Sequence, residues 1–240
     1  MIYNQSNLVS FYDLDASGDL SIKGMLKMIN EAAFFNAEEL GIGLDKTLET
    51  GLVFVVQRIG ININQLPTLN QSIHVTTWPG VATRSLFKRY GAIKDEEGNV
   101  LVEWETIWVL IDINARKIVR PSQFPLDIPQ YGNLNVLATA EKINVNPGIE
   151  LIGSFEHSVK YSELDLNKHM NNANYGDLIT NALMEFDNYQ IKSWTNVQFN
   201  YVNEAKFNDM IKVSVYMSEN DLYVEGKSKD KLIFTAKITT

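Results

Sequence analysis

The hydrophobic positions of the chain form two series of elements in the same order. In the first series, apolar and polar residues alternate at Val9–Tyr12 and predict a short strand. Apolar residues then recur at steps of three and four from Ile22 to Ala33, which predicts a helix. The strands predicted after this helix are Leu52–Ile63, Ile73–Trp78, Phe87–Lys94 and Leu101–Ile111. Glu96–Asn99, between the last two, has the composition of a hairpin turn.

The second series repeats this order. A strand is predicted at Glu156–Tyr161, and helical spacing of apolar residues runs from Tyr175 to Phe186. The strands predicted after it are Trp194–Tyr201, Ile211–Met217, Leu222–Lys227 and Leu232–Ile238. The pattern therefore indicates strand, helix and four strands, twice over.

An alignment of the two series supports a duplication. Asp15 aligned with Asp165, an offset of 150, brings identical residues together through the helix without a gap. The other pairs at this offset are Leu14 with Leu164, Ile29 with Ile179 and Ala32 with Ala182. Beyond the helix the offset is 138, with Asn62 on Asn200 and Asn70 on Asn208. The first half thus carries about twelve extra residues after its helix.

Proline and turn residues mark the boundary between the two halves. Four of the six prolines lie between Asp112 and Gly148, at Pro121, Pro125, Pro129 and Pro147. We therefore expect an N-terminal domain at residues 1–130, a linker at 131–150 and a C-terminal domain at 151–240. Each domain is expected to be α+β, with one long helix burying its apolar stripe against an antiparallel sheet.

Composition excludes several classes of protein. The 240-residue chain has no cysteine, which excludes disulfides and thiol nucleophiles, and its net charge of −8 argues against nucleic-acid binding. No apolar run is long enough to span a membrane, and the first residues do not resemble a secretory signal. We therefore expect a cytoplasmic location.

The sequence also predicts neither a metal site nor a bound cofactor. His74 and His157 lie in strand-like runs without a second ligand at metal spacing. Asp13–Ser21 is similar to the start of a calcium loop, but Gly24 stands where that loop needs a glutamate.

The densest polar cluster precedes the second predicted helix. If the segment is extended, alternate spacing points Asp165, Asn167 and His169 in one direction. The helix N-terminus beside them would favour a developing negative charge. Asn171 and Asn172 are equally open to a role as helix caps.

Only the second half carries this set of polar residues. At the offset of 150, Asn167 corresponds to Ser17 and His169 to Asp19. At the offset of 138, Glu204 corresponds to Leu66. A carboxylate in the later segment therefore occurs only in the half that also has the amide and the imidazole, which indicates a single catalytic site.

The string from Asp165 to Tyr175, Asp-Leu-Asn-Lys-His-Met-Asn-Asn-Ala-Asn-Tyr, resembles the signature of acyl-acyl-carrier-protein (acyl-ACP) thioesterases of the plant and bacterial fatty-acid type. This resemblance implies a tandem (double) hot-dog fold and hydrolysis of fatty acyl-ACP to free fatty acid and carrier. It also implies that Asp165, Asn167, His169 and Glu204 are the active-site positions. Ala205 stands where plant members have a cysteine, so a thiol-based mechanism is not available.

A mechanism follows as a hypothesis. Glu204, with His169, would activate a water for attack on the thioester carbonyl, and Asn167 with a helix N–H would bind the oxyanion. Asp165 would position the other groups. Direct attack by Glu204, giving an anhydride, is an alternative.

The carrier protein is the expected partner, and the chain is expected to be a monomer or a homodimer. Arg84, Lys88 and Arg89 form a basic cluster in the sequence that is either solvated surface or a binding site for the acidic carrier or its phosphopantetheine phosphate. The competing functions are an acyl-coenzyme A hydrolase of the same fold and a non-catalytic acyl-binding protein.

Overall fold

The computed structural model of the protein describes residues 1–134, 136–146, 148–187, 194–218 and 221–239. Its helices are α1 (Ile22–Glu39), α2 (Leu44–Thr50) and α3 (Asn174–Asp187). The strands of the first half are β1 (Tyr3–Leu8), β2 (Leu52–Ile63), β3 (Ser72–Pro79), β4 (Phe87–Lys94), β5 (Val100–Asp112) and β6 (Lys117–Val119). Those of the second half are β7 (Glu150–Ser158), β8 (Asn196–Tyr201), β9 (Met210–Ser218), β10 (Asp221–Ser228) and β11 (Lys231–Thr239).

All eleven strands of the described chain join one antiparallel sheet. Its order is β1-β3-β4-β5-β2-β8-β11-β10-β9-β7, and the short β6 pairs with β5 outside this path. The order in the second half mirrors that in the first, so the two halves meet at β2 and β8. The predicted order of elements is confirmed, and so is the α+β class.

The pairing of β2 with β8 shows an internal two-fold relation. Gly60 pairs with Gln198, which is its own equivalent at the offset of 138. Arg58 pairs with Asn200, the equivalent of Asn62, while Asn62 pairs with Asn196, the equivalent of Arg58. Such reciprocal pairing is the pattern of an isologous interface, here within one chain.

The long helices cover one face of this sheet. Buried side chains of α1 and α3 share one hydrophobic core with the odd-numbered residues at the centre of β2 and β8. Strand side chains alternate between faces, so the even-numbered neighbours point to the opposite face. Ser21 is the N-cap of α1, and its hydroxyl accepts a hydrogen bond from Gly24 N at 3.0 Å. None of the described helices is long and apolar enough to cross a membrane.

On the opposite face, the linker forms a strap at residues 138–143. The strap is not a β-strand, because its backbone hydrogen bonds are made with side chains of the sheet and not with the backbone of a neighbouring strand. Gln198 accepts from Glu141 N at 3.0 Å and donates to Thr139 O at 2.9 Å. Asn200 accepts from Ile143 N and donates to Glu141 O, both at 2.8 Å. The buried polar groups of the strap are thereby satisfied.

Two carboxylates of β5 also accept hydrogen bonds from the strap. Ala138 N donates to Glu103 at 2.9 Å, and Ala140 N donates to Glu105 at 2.8 Å. Gly60 lies directly beneath, where an added Cβ would come within 2.0 Å of Thr139 O. The linker therefore packs tightly on β5, β2 and β8.

Two predicted strands were misplaced. β1 ends before Val9, and Phe11–Asp13 is a 3₁₀ turn capped by Ser10. β7 likewise ends before the 3₁₀ turn at Tyr161–Glu163. Both are edge strands, whose hydrophobic signal is weak because one side has no neighbour. Of the linker prolines, Pro147 lies outside the described residues.

The extra residues of the first half build α2. This helix lies between α1 and β2, and it ends at Gly51 in the left-handed conformation with φ of 68°. The hairpin turn predicted between β4 and β5 is present, with Gly98 at φ of 86° and Asp95 N donating to Asn99 O.

Candidate active site

The segment from Asp165 to His169 is a tight turn, so the prediction of an extended segment was wrong. Asp165 N donates to His169 O at 2.8 Å, and Lys168 N donates to Asp165 O at 3.0 Å. Lys168 adopts a positive φ of 63°, where Gly18 of the first half has 84°. We call Leu164–Met170, whose two ends form a β-bridge, the site loop.

Asp165 organises the site loop from within. Its Oδ1 accepts from Asn167 N at 2.8 Å and from His169 N at 3.2 Å, while Asn167 Nδ2 lies 3.5 Å from Oδ2. A carboxylate that accepts several backbone N–H groups fixes a turn as Asx turns do. The polar residues therefore converge through the turn and not through strand alternation.

His169 and Glu204 form a pair at the surface. Their Nε2 and Oε2 atoms are 3.0 Å apart, and the side chains are 26% and 65% exposed. The pairing is held by the backbone: Met170 N donates to Ala205 O at 2.8 Å, and His169 bridges to Lys206. The structure thus brings an imidazole and a carboxylate from distant parts of the chain into contact at a solvent-accessible site.

Two tyrosines, the buried Tyr175 and the half-buried Tyr201, support the start of α3 and the segment after Glu204. Tyr201 donates its hydroxyl to Asn172 O at 3.2 Å, and Ala205 N donates to the Tyr175 hydroxyl. Burial raises the pKa of both phenols well above the usual range, so they stay protonated. Asn171 accepts from Ala173 N at 2.9 Å, which is the capping contact that the sequence left open.

A cavity of about 470 Å³ leads away from the site loop. Its wall includes Asp165 and Asn167, with Asn171 and Asn172 beside them. The rest of the wall comes mainly from the first half. Apolar residues that line it are Ala33, Phe34, Ala37, Leu48, Phe54, Phe87 and Trp108. A largely apolar cavity that ends in a few polar groups is typical of a small-molecule site.

Sequence reasoning missed most of this wall. α2 and the residues just before it contribute Ile42, Leu44, Thr47 and Leu48. The only signal for them was the insertion of about twelve residues in the first half.

The equivalent loop of the first half keeps the backbone but not the chemistry. Asp15 accepts from Ser17 N at 2.8 Å, and Leu14 bridges to Leu20 as Leu164 does to Met170. Leu66 stands at the position of Glu204. The turn is therefore a property of the fold, while the imidazole–carboxylate pair belongs to the second half.

The basic residues Arg84, Lys88 and Arg89 do not form one exposed cluster. Arg84 is exposed, but the Lys88 ammonium is 2.8 Å from a buried Glu105 oxygen. Arg89 is only 8% exposed, so it is not part of an exposed docking surface, but Arg89 and Lys88 both line the cavity, and a role in substrate binding stays a prediction. Arg89 Nη1 donates to Asn36 Oδ1 at 2.7 Å on α1, and burial lowers the pKa of Arg89 to about 10.

Among the residues that the structure describes, no group of three or more His, Asp or Glu side chains is arranged to hold a metal ion.

Comparisons with known proteins place these features in context. A family model described as the acyl-ACP thioesterase N-terminal domain matches residues 1–123, and one described as the acyl-ACP thioesterase C-terminal domain matches residues 152–240. Among curated proteins, a chloroplastic acyl-[acyl-carrier-protein] hydrolase of Cuphea viscosissima is 23% identical over 186 residues, which are 72% of this chain and 45% of that protein.

A chloroplastic dodecanoyl-[acyl-carrier-protein] hydrolase of Cinnamomum camphora is 22% identical over 211 residues, 81% of this chain and 55% of that protein. The chain thus spans about half the length of these relatives.

Two solved structures share the fold over nearly the whole chain. An acyl-ACP thioesterase from Bacteroides thetaiotaomicron superposes with a TM-score of 0.83 at 21% identity, covering 99% of this chain and 97% of that one. The 12:0-ACP thioesterase from Umbellularia californica gives 0.78 at 16% identity, covering 99% and 96%. The large antiparallel sheet with few helices is consistent with a hot-dog fold.

Proposed function

The chain belongs to the acyl-ACP thioesterase family, as its motif indicated, and we propose that it hydrolyses the thioester of fatty acyl-ACP to a free fatty acid and the carrier protein. The observation that carries this proposal is the His169–Glu204 pair, 3.0 Å apart, beside a loop that closes one end of an apolar cavity. The cavity would hold the acyl chain, and the loop would hold the thioester.

The mechanism begins with water activation. Glu204 and His169 together would orient a water and take its proton, because a carboxylate and an imidazole in contact can share a proton. The thiolate leaves readily, so activation of the nucleophile is the main requirement. The exposure of the pair gives water direct access.

The site loop would stabilise the oxyanion that forms. Asn167 lines the cavity and its amide can donate to the former carbonyl oxygen, assisted by the N-terminus of α3. Asp165 would act by holding the backbone of Asn167 and His169 in place.

We further propose that the fold is a double hot-dog, with domains at residues 1–130 and 151–240 and a linker at 131–150. The mirrored strand order and the reciprocal β2–β8 pairing support this division. In it, the first domain supplies most of the acyl cavity and the second supplies the catalytic residues. A cytoplasmic location and a monomeric or homodimeric state remain predictions.

The test is thiol release by the purified protein from matched acyl-ACP and acyl-coenzyme A panels. Glu204→Gln should lower kcat on acyl-ACP by about 10²–10⁴-fold, the contribution of a general base. Glu97→Gln, at an exposed position of the β4–β5 turn, is the matched control and should leave kcat unchanged.

Other outcomes would replace the proposal. A higher kcat/KM for acyl-coenzyme A than for acyl-ACP would favour the hydrolase of coenzyme A esters. No thiol release from either panel would favour a non-catalytic acyl-binding protein.

A further inference from the structure

Three lysines and three apolar side chains surround the mouth of the site. We call Lys160, Tyr161, Leu166, Lys168, Lys206 and Phe207 the mouth patch. The three lysines are exposed, and Tyr161, Leu166 and Phe207 are 78%, 89% and 50% exposed. Single exposed apolar residues are common, but a group of three beside a site indicates an interaction surface.

A ring contact and a backbone β-bridge connect members of the patch to the His169–Glu204 pair. The rings of Tyr161 and Phe207 meet edge to face at 6.2 Å, which joins the segment of Lys160 to that of Lys206. The backbone of Lys206 forms a β-bridge with that of His169, and Lys168 precedes His169 in the site loop. A partner that delivers a thioester to this pair would therefore contact the patch.

The lysines are free to meet such a partner. None of the three forms an ion pair with a residue that the structure describes. The nearby carboxylates are engaged by backbone: Glu163 accepts from Lys160 N at 2.6 Å, and Asp209 accepts from Lys206 N at 2.8 Å. Three such cations stand out on a chain with a net charge of −8.

Comparison of the two halves separates fold from function. Two of the three apolar members of the patch have large apolar equivalents: Phe11 and Leu69 stand at the positions of Tyr161 and Phe207, and they are 72% and 44% exposed, whereas Leu166 corresponds to Ala16. The basic part is not duplicated. Lys160, Lys168 and Lys206 correspond to Ser10, Gly18 and Thr68. The cations therefore occur only around the loop that has the imidazole and the carboxylate.

We propose that the mouth patch is the docking surface for the acyl carrier protein, with the lysines meeting acidic groups of the carrier and the apolar side chains packing at the centre. This inference rests on the proposed function and replaces the Arg84, Lys88 and Arg89 cluster as the docking site. Charge complementarity of this kind acts mainly on association and on KM.

The test compares a carrier-bound substrate with a carrier-free one. The charge-reversal variant Lys160→Glu, Lys206→Glu, which leaves the site loop intact, is measured on acyl-ACP and on the same acyl group as an N-acetylcysteamine thioester. kcat/KM on acyl-ACP should fall about tenfold or more, through KM, and lose its dependence on salt. Turnover of the N-acetylcysteamine thioester should stay within about twofold of the parent, because rim charges act mainly on association.

The matched control is the double variant Ser10→Glu, Thr68→Glu, which adds charges at the equivalent positions of the first half. It should leave both activities unchanged. Binding of acyl-free holo-carrier, measured by calorimetry, should weaken in the charge-reversal variant and not in this control.

The outcomes separate the two proposals. Parent protein that hydrolyses acyl-ACP, with a charge-reversal variant that does so equally well, overturns the docking surface alone. Equal losses on both substrates overturn it too, because the lysines then act on the catalytic site. A parent inactive on both substrates overturns the proposed function and the docking surface with it.

Discussion

Replacement of Gln198 by alanine should destabilise the protein without impairing its catalytic site. Gln198 is 3% exposed and its amide serves as both donor and acceptor for the strap. Truncation removes the bond from Glu141 N and the bond to Thr139 O, and it leaves those two backbone groups without partners on the sheet. The strap lies on the face of the sheet opposite α1 and α3, remote from the site loop.

The magnitude follows from these two bonds. Each of these part-buried bonds contributes about 0.5–1.5 kcal/mol, so the free energy of unfolding should fall by about 1–3 kcal/mol. For a chain of this size each kcal/mol lowers Tm by about 2–4 °C, which gives a total decrease of about 2–12 °C. A second route to the same contact is Gly60→Ala, because the added Cβ would displace Thr139 O.

The assay is urea denaturation and thermal unfolding, with thioester turnover at 25 °C as the second readout. Gln65→Ala removes the same type of side chain at an exposed position and should change the free energy of unfolding by less than about 0.5 kcal/mol. The kcat of Gln198→Ala should equal that of the parent. If Gln198→Ala were as stable as Gln65→Ala, the strap would not be held by its side-chain bonds.

Three further substitutions probe the site. Asp165→Asn removes the charge that fixes two backbone amides of the site loop, so kcat should fall about 10–100-fold with little change in KM. A raised KM with an unchanged kcat would contradict this. Ala37→Phe should fill part of the cavity and shift the kcat/KM profile of an acyl-ACP panel to shorter chains; an unchanged profile would place the acyl chain elsewhere. Tyr201→Phe removes the hydrogen bond to Asn172 O and should cost about 1 kcal/mol in urea denaturation, whereas a neutral change would show that the bond does not hold α3.

The parts of the fold that the sequence predicted well are those with strong periodicity. β2 and β4 have the predicted bounds, because both are internal strands rich in β-branched or aromatic residues. β1 was missed because Tyr3–Leu8 is mostly Asn, Gln and Ser, and its pairing with β3 is set by the sheet edge. The strap could not be predicted at all, since its partners are side chains 57 to 59 residues away on β8 and 35 residues away on β5.

The sequence named candidate residues for the site but did not predict the geometry in which they lie. Sequence comparison of the halves identified Asn167, His169 and Glu204, because a difference at three positions is visible without a structure. The turn at Lys168 was not predicted, since its positive φ is occupied by glycine only in the first half. The burial of Arg89 was equally hidden, because its partner Asn36 lies on α1.

Divergence of two equivalent halves explains why one site requires both of them. The equivalent helices α1 and α3 approach each other closely: an added Cβ at Gly176 of α3 would come within 2.9 Å of Lys23 N on α1. This approach places the loop that precedes α3 against the first half, where α2 widens the space beneath the sheet into a cavity. Insertion in one half and retention of polar residues in the other are therefore complementary changes, and neither half alone would unite an acyl cavity with the imidazole–carboxylate pair.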